Sequence, residues 1–378
     1  MKKTLRICFF LLFFFFFSLT GVTGVRKAYS KKNFWNPAEG VEAGDTWINN
    51  NLYQRKKMLA PYQIWNAVID KRYFPEINAY ISPNGQTLMG SPSPRYRLYT
   101  DKVQQLASWC KDNGINFLYV IYPGKPETDT ELTDIGIPCF RNYVADQADK
   151  EYAEKQIPFL DLRECFRVGE DFYSFFYKTE HHWTADAGIK AAREIVKHLN
   201  EDYDMGLDAS RLDEEKIGRT VYPGIFVGEQ GKKMLGKYGK RDDFIVRFPL
   251  YDAQLHYICA EDKIDVFGGF DILTEEERLS ENHFNEDKSL YYYYLFKNSG
   301  LIEIWDKDVT AGDIFLINDS FSNVVTPFLS LAAKHITVWD MRKDQRIYQY
   351  LNDHPEIETV IIAYTIASVS THQMHDFQ

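Results

Sequence analysis

Short, uninterrupted apolar runs recur along this 378-residue chain, and helical periodicity follows them. That alternation limits what the chain can fold into. Asn116–Tyr122 reads Asn-Phe-Leu-Tyr-Val-Ile-Tyr and Asp313–Asn318 reads Asp-Ile-Phe-Leu-Ile-Asn; His335–Asp340 and Thr359–Tyr364 are of the same kind. A run apolar at odd and even positions alike suits a strand covered on both faces, as in a parallel sheet. Thr100 can start a helix to about Asp112, with Val103, Leu106, Ala107 and Cys110 turned inward and Gly114 as its stop. Residues 140–156, Ser322–Ala333 and Lys343–Leu351 read as further helices, Pro327 being tolerable near a first turn. Ile157–Leu162 is another strand, ending at Asp161. The pattern predicts an α/β fold, a parallel sheet with helices on both faces. Ligands of such sheets bind beyond the carboxyl ends of the strands. Lys125, Ser320, Asp340 and the tail of the Val360–Tyr364 run fall at that edge.

Other stretches depart from this rhythm. Residues 1–25 open with Lys2, Lys3 and Arg6 and continue in an apolar run centred on five consecutive phenylalanines. This reads as a secretory signal or a signal anchor, with the rest of the chain outside the cytoplasm. Residues 26–76 read as a polar stalk or wrapping segment. In Ile77–Gly90, the Ser82-Pro83-Asn84-Gly85 turn between apolar runs predicts a hairpin. The α/β order is therefore expected in two parts, 77–202 and 306–378, around a partly β inserted subregion at 203–305. That subregion holds a basic, glycine-punctuated loop (Gly231–Arg241), expected to be a solvated surface, and the run Tyr291–Tyr294, expected to be half core.

The chemistry concentrates at Tyr177-Lys178-Thr179-Glu180-His181-His182-Trp183-Thr184. Thr184 can cap a helix whose apolar stripe is Ile189, Ala192, Ile195, Val196 and Leu199. Titratable groups thus crowd a loop entering a helix. A carboxylate two residues before a histidine can orient the ring and stabilise its charged form. A nucleophile is missing locally, and Asn318-Asp319-Ser320 supplies one downstream. A net charge of −10 argues against a nucleic-acid partner. Cys110, Cys139, Cys165 and Cys259 form no Cys-x-x-Cys pair, so no structural zinc site is expected, while disulfides and buried free thiols both remain open. His372, His375 and Asp376, near a chain end, are expected to face solvent.

Three segments carry a resemblance to a known family: Thr-Glu-His-His-Trp-Thr at 179–184, Ile317-Asn318-Asp319-Ser320-Phe321-Ser322-Asn323, and Val338-Trp339-Asp340-Met341-Arg342. The chain resembles the bacterial DHHW protein family and is similar to the alginate O-acetyltransferase type of SGNH hydrolase, from the hairpin to the C-terminus. The resemblance implies an SGNH-like sheet in circularly permuted order, because here the histidine loop precedes the serine strand. It implies Ser320 as nucleophile, His182 as general base and Glu180 as orienting carboxylate, where the family has Asp. The Gly-x-Asn-Asp block that usually helps bind the oxyanion is absent at Ile362–Thr365. Asn323 and Lys125 are then the candidate oxyanion or site-edge groups, and Trp183, Asp340 and Arg342 the candidate substrate contacts. Of these, Trp183 is expected to pack under the loop in preference to contacting a sugar, and Asp319 to tether the turn.

These readings converge on an extracytoplasmic serine O-acetyltransferase or esterase, secreted or anchored by its N-terminal segment. It would act on a cell-envelope or secreted polysaccharide without a cofactor or metal, with a membrane-bound O-acyltransferase as a possible source of acyl groups. The rival expectations are an inactive polysaccharide-binding or assembly protein on the same scaffold, and a metal-dependent hydrolase using Glu180, His181 and His182.

Overall fold

The computed structural model describes residues 55–91, 96–167, 171–280, 289–296 and 299–378. The apolar segment expected at 1–25 lies outside the described residues, as does most of the expected stalk. Among the described residues no helix is long and apolar enough to cross a membrane. The chain divides into two compact units, one ending at Asp70 and one running from Lys71 to Gln378. The first contributes helix α1 (Arg55–Val68).

The second unit opens with a three-stranded antiparallel sheet, β1 (Tyr73–Phe74), β2 (Ala79–Ile81) and β3 (Thr87–Met89). The β2–β3 hairpin turns through Ser82–Gly85, where Gly85 takes the positive φ (86°) that the turn demands. Then come α2 (Thr100–Asp112), β4 (Asn116–Tyr122), α3 (Arg141–Glu154), β5 (Phe159–Asp161) and α4 (Ala185–Tyr203). The antiparallel ribbon β6 (Ile217–Phe226) and β7 (Asp242–Pro249) flanks a short helix, α5 (Glu229–Met234). The remaining strands are β8 (Leu255–Cys259), β9 (Ile264–Gly268), β10 (Leu301–Asp306), β11 (Asp313–Asn318), β12 (His335–Trp339) and β13 (Thr359–Thr365).

Eight strands form one sheet in the order β5-β4-β13-β11-β12-β10-β8-β9. The first five are mutually parallel, and β10, β8 and β9 extend them antiparallel. The predicted parallel sheet is therefore present, and strands from within 203–305 lengthen it. Alternation explains why the core runs looked continuous. Leu118, Val120 and Tyr122 of β4 and Leu316 of β11 face the α4 side, with Ile189, Ala192, Ile195, Val196 and Leu199. Phe117, Tyr119 and Ile121, with Phe315 and Ile317, face the opposite side, against α2 and α3.

Some expectations fail for identifiable reasons. The helix expected over Ser322–Ala333 is a 3-10 turn, Ser320–Val324, followed by a single helical turn, Thr326–Leu329. Pro327 lacks the N–H a continuous helix needs there, and β-branched Val324, Val325 and Thr326 precede it. In the basic loop expected to be solvated, Gly231, Lys232 and Met234 are buried. His375 is buried too, within hydrogen-bond distance of the Tyr119 hydroxyl and the Thr371 carbonyl. Cys110, Cys139 and Cys259 are buried free thiols.

One contact joins the two expected parts of the α/β fold. Gly188, in the first turn of α4, lies so near the serine turn that a Cβ would stand 1.9 Å from the Val324 carbonyl oxygen. Gly188→Ala must push helix and turn apart. It should destabilise the chain by about 1–3 kcal/mol or more, as overpacking does, read as a lower urea midpoint at unchanged m-value.

Candidate active site

Ser320 sits just beyond the carboxyl end of β11, at the start of its 3-10 turn. Its N–H therefore has no partner within that turn and remains a donor at the strand edge. Asp319 shapes the bend as expected. One of its carboxylate oxygens accepts from the Phe321 N–H (3.0 Å), the other from the Thr365 N–H, the Thr365 hydroxyl and the Ser368 hydroxyl (2.8 Å each). These bonds lock the nucleophile turn to the end of β13 and occupy the Asp319 carboxylate.

The histidine loop is pinched at its base, where Phe176 and Trp183 form a β-bridge. Beyond it Thr184 caps α4, its side chain accepting from the Ala187 N–H. Trp183 has no exposed surface and donates Nε1–H to the Phe321 carbonyl at 2.9 Å. Of the two roles read for it, Trp183 takes packing: it is a strut between the two loops, set among Tyr122, Phe166 and Phe321.

The strut brings the candidate pair together. His182 Nε2 lies 2.9 Å from Ser320 Oγ, across 138 residues of sequence. Glu180 is 1% exposed and is shared between two imidazoles. Its Oε1 is 2.5 Å from His181 Nδ1 and 3.4 Å from His182 Nδ1. It also accepts from the His181 N–H (2.9 Å), and Oε2 accepts from the Glu229 N–H (2.7 Å). Burial alone pushes the Glu180 carboxyl up; the close polar contacts and charges of the two imidazoles, His181 nearest, outweigh that and hold it well below the usual carboxylate range. Burial lowers His182 to about 4, with His181 adding to the effect and Glu180 opposing it. His182 is therefore a neutral base at physiological pH.

Sequence reasoning missed the supports of this loop. Asp242, at the start of β7, accepts from the Lys178 N–H (2.7 Å), the Thr179 N–H (2.8 Å) and the Thr179 hydroxyl (2.5 Å). Thr179 in turn accepts from the Gly228 and Gly231 N–H groups. Gly228 lets the α5 entrance approach; a Cβ there would lie 2.4 Å from Glu180 Cβ. Lys125 is buried and donates to the Gln86 side chain (3.1 Å) and the Tyr177 carbonyl (2.8 Å). Burial lowers its amine to about 7, against the pull of Asp242 and Glu180. Gly228 and Gly231 on either side of a buried amide were the available sequence signal; Asp242 carried none.

A cavity of about 260 Å³ opens onto Ser320. His181, Gln230, Lys125, Arg141 and Arg342 also line it. Arg342 reaches the wall because buried Asp340 holds its guanidinium in a two-point pair (2.8 and 2.7 Å). Asp340 is thus an anchor behind Arg342. Asn323 is 2% exposed, inside the turn, and does not line the cavity. Ligand atoms of Glu180, His181 and His182 lie within 4.8 Å of one another, close enough for a metal ion. In the present arrangement they face each other, and His182 Nε2 faces Ser320.

Residues 92–245 match the family model described as "SGNH hydrolase-like domain, acetyltransferase AlgX", a span that holds the histidine loop and stops before Ser320. Bacillus cereus PatB1 superposes with a TM-score of 0.61 at 16% identity, covering 80% of this chain and 100% of PatB1. A DHHW family protein from Eubacterium siraeum gives 0.52 at 14% identity, covering 79% of this chain and 96% of that one. The fold is SGNH hydrolase-like. The resemblance to DHHW and alginate O-acetyltransferase-type SGNH proteins read from the three motifs therefore stands. No curated protein matches the sequence. In this SGNH-like chain the serine and the histidine come from opposite sides of a long intervening segment.

Asp242→Ala would leave two backbone N–H groups of the histidine loop without their acceptor. It should cost about 1–3 kcal/mol for each donor left buried. The loosening should appear as faster amide hydrogen exchange across residues 178–182, with β4 and β13 unchanged.

Proposed function

We propose that this chain is a serine-dependent O-acyltransferase or esterase that acts outside the cytoplasm on a cell-envelope or secreted polysaccharide. The observation that carries the reading is the 2.9 Å approach of His182 Nε2 to Ser320 Oγ at the wall of a cavity. A serine hydroxyl becomes a useful nucleophile only when a base takes its proton. Here a neutral imidazole is within reach, and a buried carboxylate lies behind it to stabilise the imidazolium. The family model, whose description names an acetyltransferase, supports acyl transfer. The basic-then-apolar sequence of residues 1–25 supports the location.

In the first half-reaction Ser320 Oγ attacks the carbonyl carbon of an acyl ester while its proton passes to His182 Nε2. The tetrahedral oxyanion takes hydrogen bonds, the Ser320 N–H among them. Its collapse breaks the ester bond, and the departing alcohol takes the proton back from His182. In the second half an acceptor hydroxyl attacks the acyl-serine, His182 takes that proton, and Ser320 recovers it as the product ester leaves. Water in place of the acceptor makes the same machinery an esterase. An acyl donor supplied through a membrane-bound O-acyltransferase belongs to the same reading.

Two outcomes test it. Ser320→Ala should lower turnover of an activated acetyl ester roughly 10³-fold or more while the fold persists. Protonation of His182 removes the base, so its low value shifts the acid limb downward. The rate at which phenylmethanesulfonyl fluoride modifies Ser320, followed by intact-mass spectrometry, should stay flat from pH 8 to about 5. It should then fall through an apparent value of about 4. Unmodified Ser320 throughout that range would sink the nucleophile assignment.

A further inference from the structure

The usual holder of the imidazole in such a site is the third residue, through its bond to Nδ1. Here that bond is poor. His182 Nδ1 stands 3.4 Å from Glu180 Oε1 and, although buried, makes no hydrogen bond of ordinary geometry. The carboxylate is spent elsewhere, on His181 Nδ1, the His181 N–H and the Glu229 N–H. The rings around His182 are left to align it with Ser320; the His181 ring meets it at a tilt, with centroids 3.8 Å apart and planes at 37°.

Tyr291 touches both partners. Its ring lies flat on the His182 ring, with centroids 3.8 Å apart and planes 13° from parallel. Its hydroxyl donates to the Ser320 carbonyl at 2.9 Å. Tyr291 is 1% exposed, so the stack seals one face of the imidazole from water. Phe321 borders the same ring, at 5.1 Å and 47°. The tyrosine is itself held firmly. It lies in the 3-10 turn Leu290–Tyr293, and the adjoining Tyr294 hydroxyl both accepts from the Arg247 N–H and donates to the Arg247 carbonyl, 2.8 Å each.

We propose that Tyr291 is the positioning residue of the site: a two-ended clamp whose ring orients His182 and whose hydroxyl fixes Ser320, a task that Glu180 does not perform here. The inference rests on the acyl-transfer reading for its consequences but not for its geometry. A hydrogen bond fixes a ring through one atom. A stacked ring fixes its plane, and the tether to Ser320 makes the two groups move together. Catalysis that depends on alignment within about 1 Å can lose two orders of magnitude when alignment is lost.

The test uses the full chain, labelled at histidine, and two variants that separate the ends of the clamp. Tyr291→Phe keeps the stack and removes the bond to Ser320; Tyr291→Leu removes both. By NMR, the carbon-bound protons of the His182 ring, assigned by their absence in His182→Gln, should be shifted upfield in wild type and Tyr291→Phe. In Tyr291→Leu they should return toward the position of a solvated histidine. Glu180→Gln should leave the upfield shift in place. With an activated acetyl ester, kcat should fall about 10- to 100-fold in Tyr291→Leu at little-changed KM, and by a smaller factor in Tyr291→Phe.

Three results would overturn the clamp: a folded Tyr291→Leu protein with wild-type kcat, a loss confined to KM, or disappearance of the upfield shift in Glu180→Gln. Should Tyr291→Leu fail to fold, the shifts in wild type, Tyr291→Phe and Glu180→Gln still decide the matter. Turnover that survives Ser320→Ala would end the acyl-transfer reading, while the shifts would go on judging the clamp independently.

Discussion

The site depends on how closely helix α4 and the serine turn approach each other. Gly188 admits the Val324 carbonyl where any side chain would collide, and the buried Trp183 indole donates to Phe321 next door. A bare backbone contact and a directed hydrogen bond thus clamp the helix entrance against the turn after β11. Because His182 and Ser320 each lie one residue from the atoms of that hydrogen bond, their separation follows from it. Ser320 is further confined by Asp319, which ties the turn to Thr365 at the end of β13 and to Ser368 in the helical turn that follows.

A second constraint is electrostatic. Glu180 is a nearly fully buried carboxylate, and an ionised carboxylate cannot remain in such a place without donors. It has them in the His181 imidazole and two backbone N–H groups, one of which, at Glu229, comes from the entrance of α5, with the His182 ring standing further off. Asp242, Gly228 and Gly231 hold the same loop from behind. The ribbon and the segment after it, which read in the sequence as an insertion, therefore supply the loop's backbone partners and the ring stacked on its histidine. The hairpin at 79–89 completes the enclosure, with Thr87 and Met89 on the cavity wall.

Legibility from sequence followed the range of the interactions. The parallel strands were readable because strands buried on both faces carry apolar residues at successive interior positions, as residues 117–122, 314–317 and 360–364 do. The α4 stripe was readable because a one-sided helix repeats every three or four residues. Ser320, His182 and Glu180 stood out as residue types in loops beside helix or turn starts. The Ser322–Ala333 helix was misjudged because apolar content there reflects burial on all sides, while Pro327 sets the local backbone. Asp340 looked like a substrate contact because exposure cannot be read from residue type. Tyr291 was legible only as part of a tyrosine run expected to be half core, and Asp242 left no trace, since a stacking ring and a buried acceptor matter through what lies opposite them.

The order of strands and helices, the stretch that carries the imidazoles and the type of nucleophile available were determined by the chain's own local pattern. Burial and periodicity act within a few residues of one another, so they are written into the sequence. Which histidine meets the serine, which imidazole holds the carboxylate most closely, and which aromatic ring keeps the pair in line were decided only by tertiary structure. Those are contacts between segments tens to more than a hundred residues apart. Their distances are set by packing against third parties, the glycine gap and the indole strut above all, and no local pattern records where those parties will come to rest.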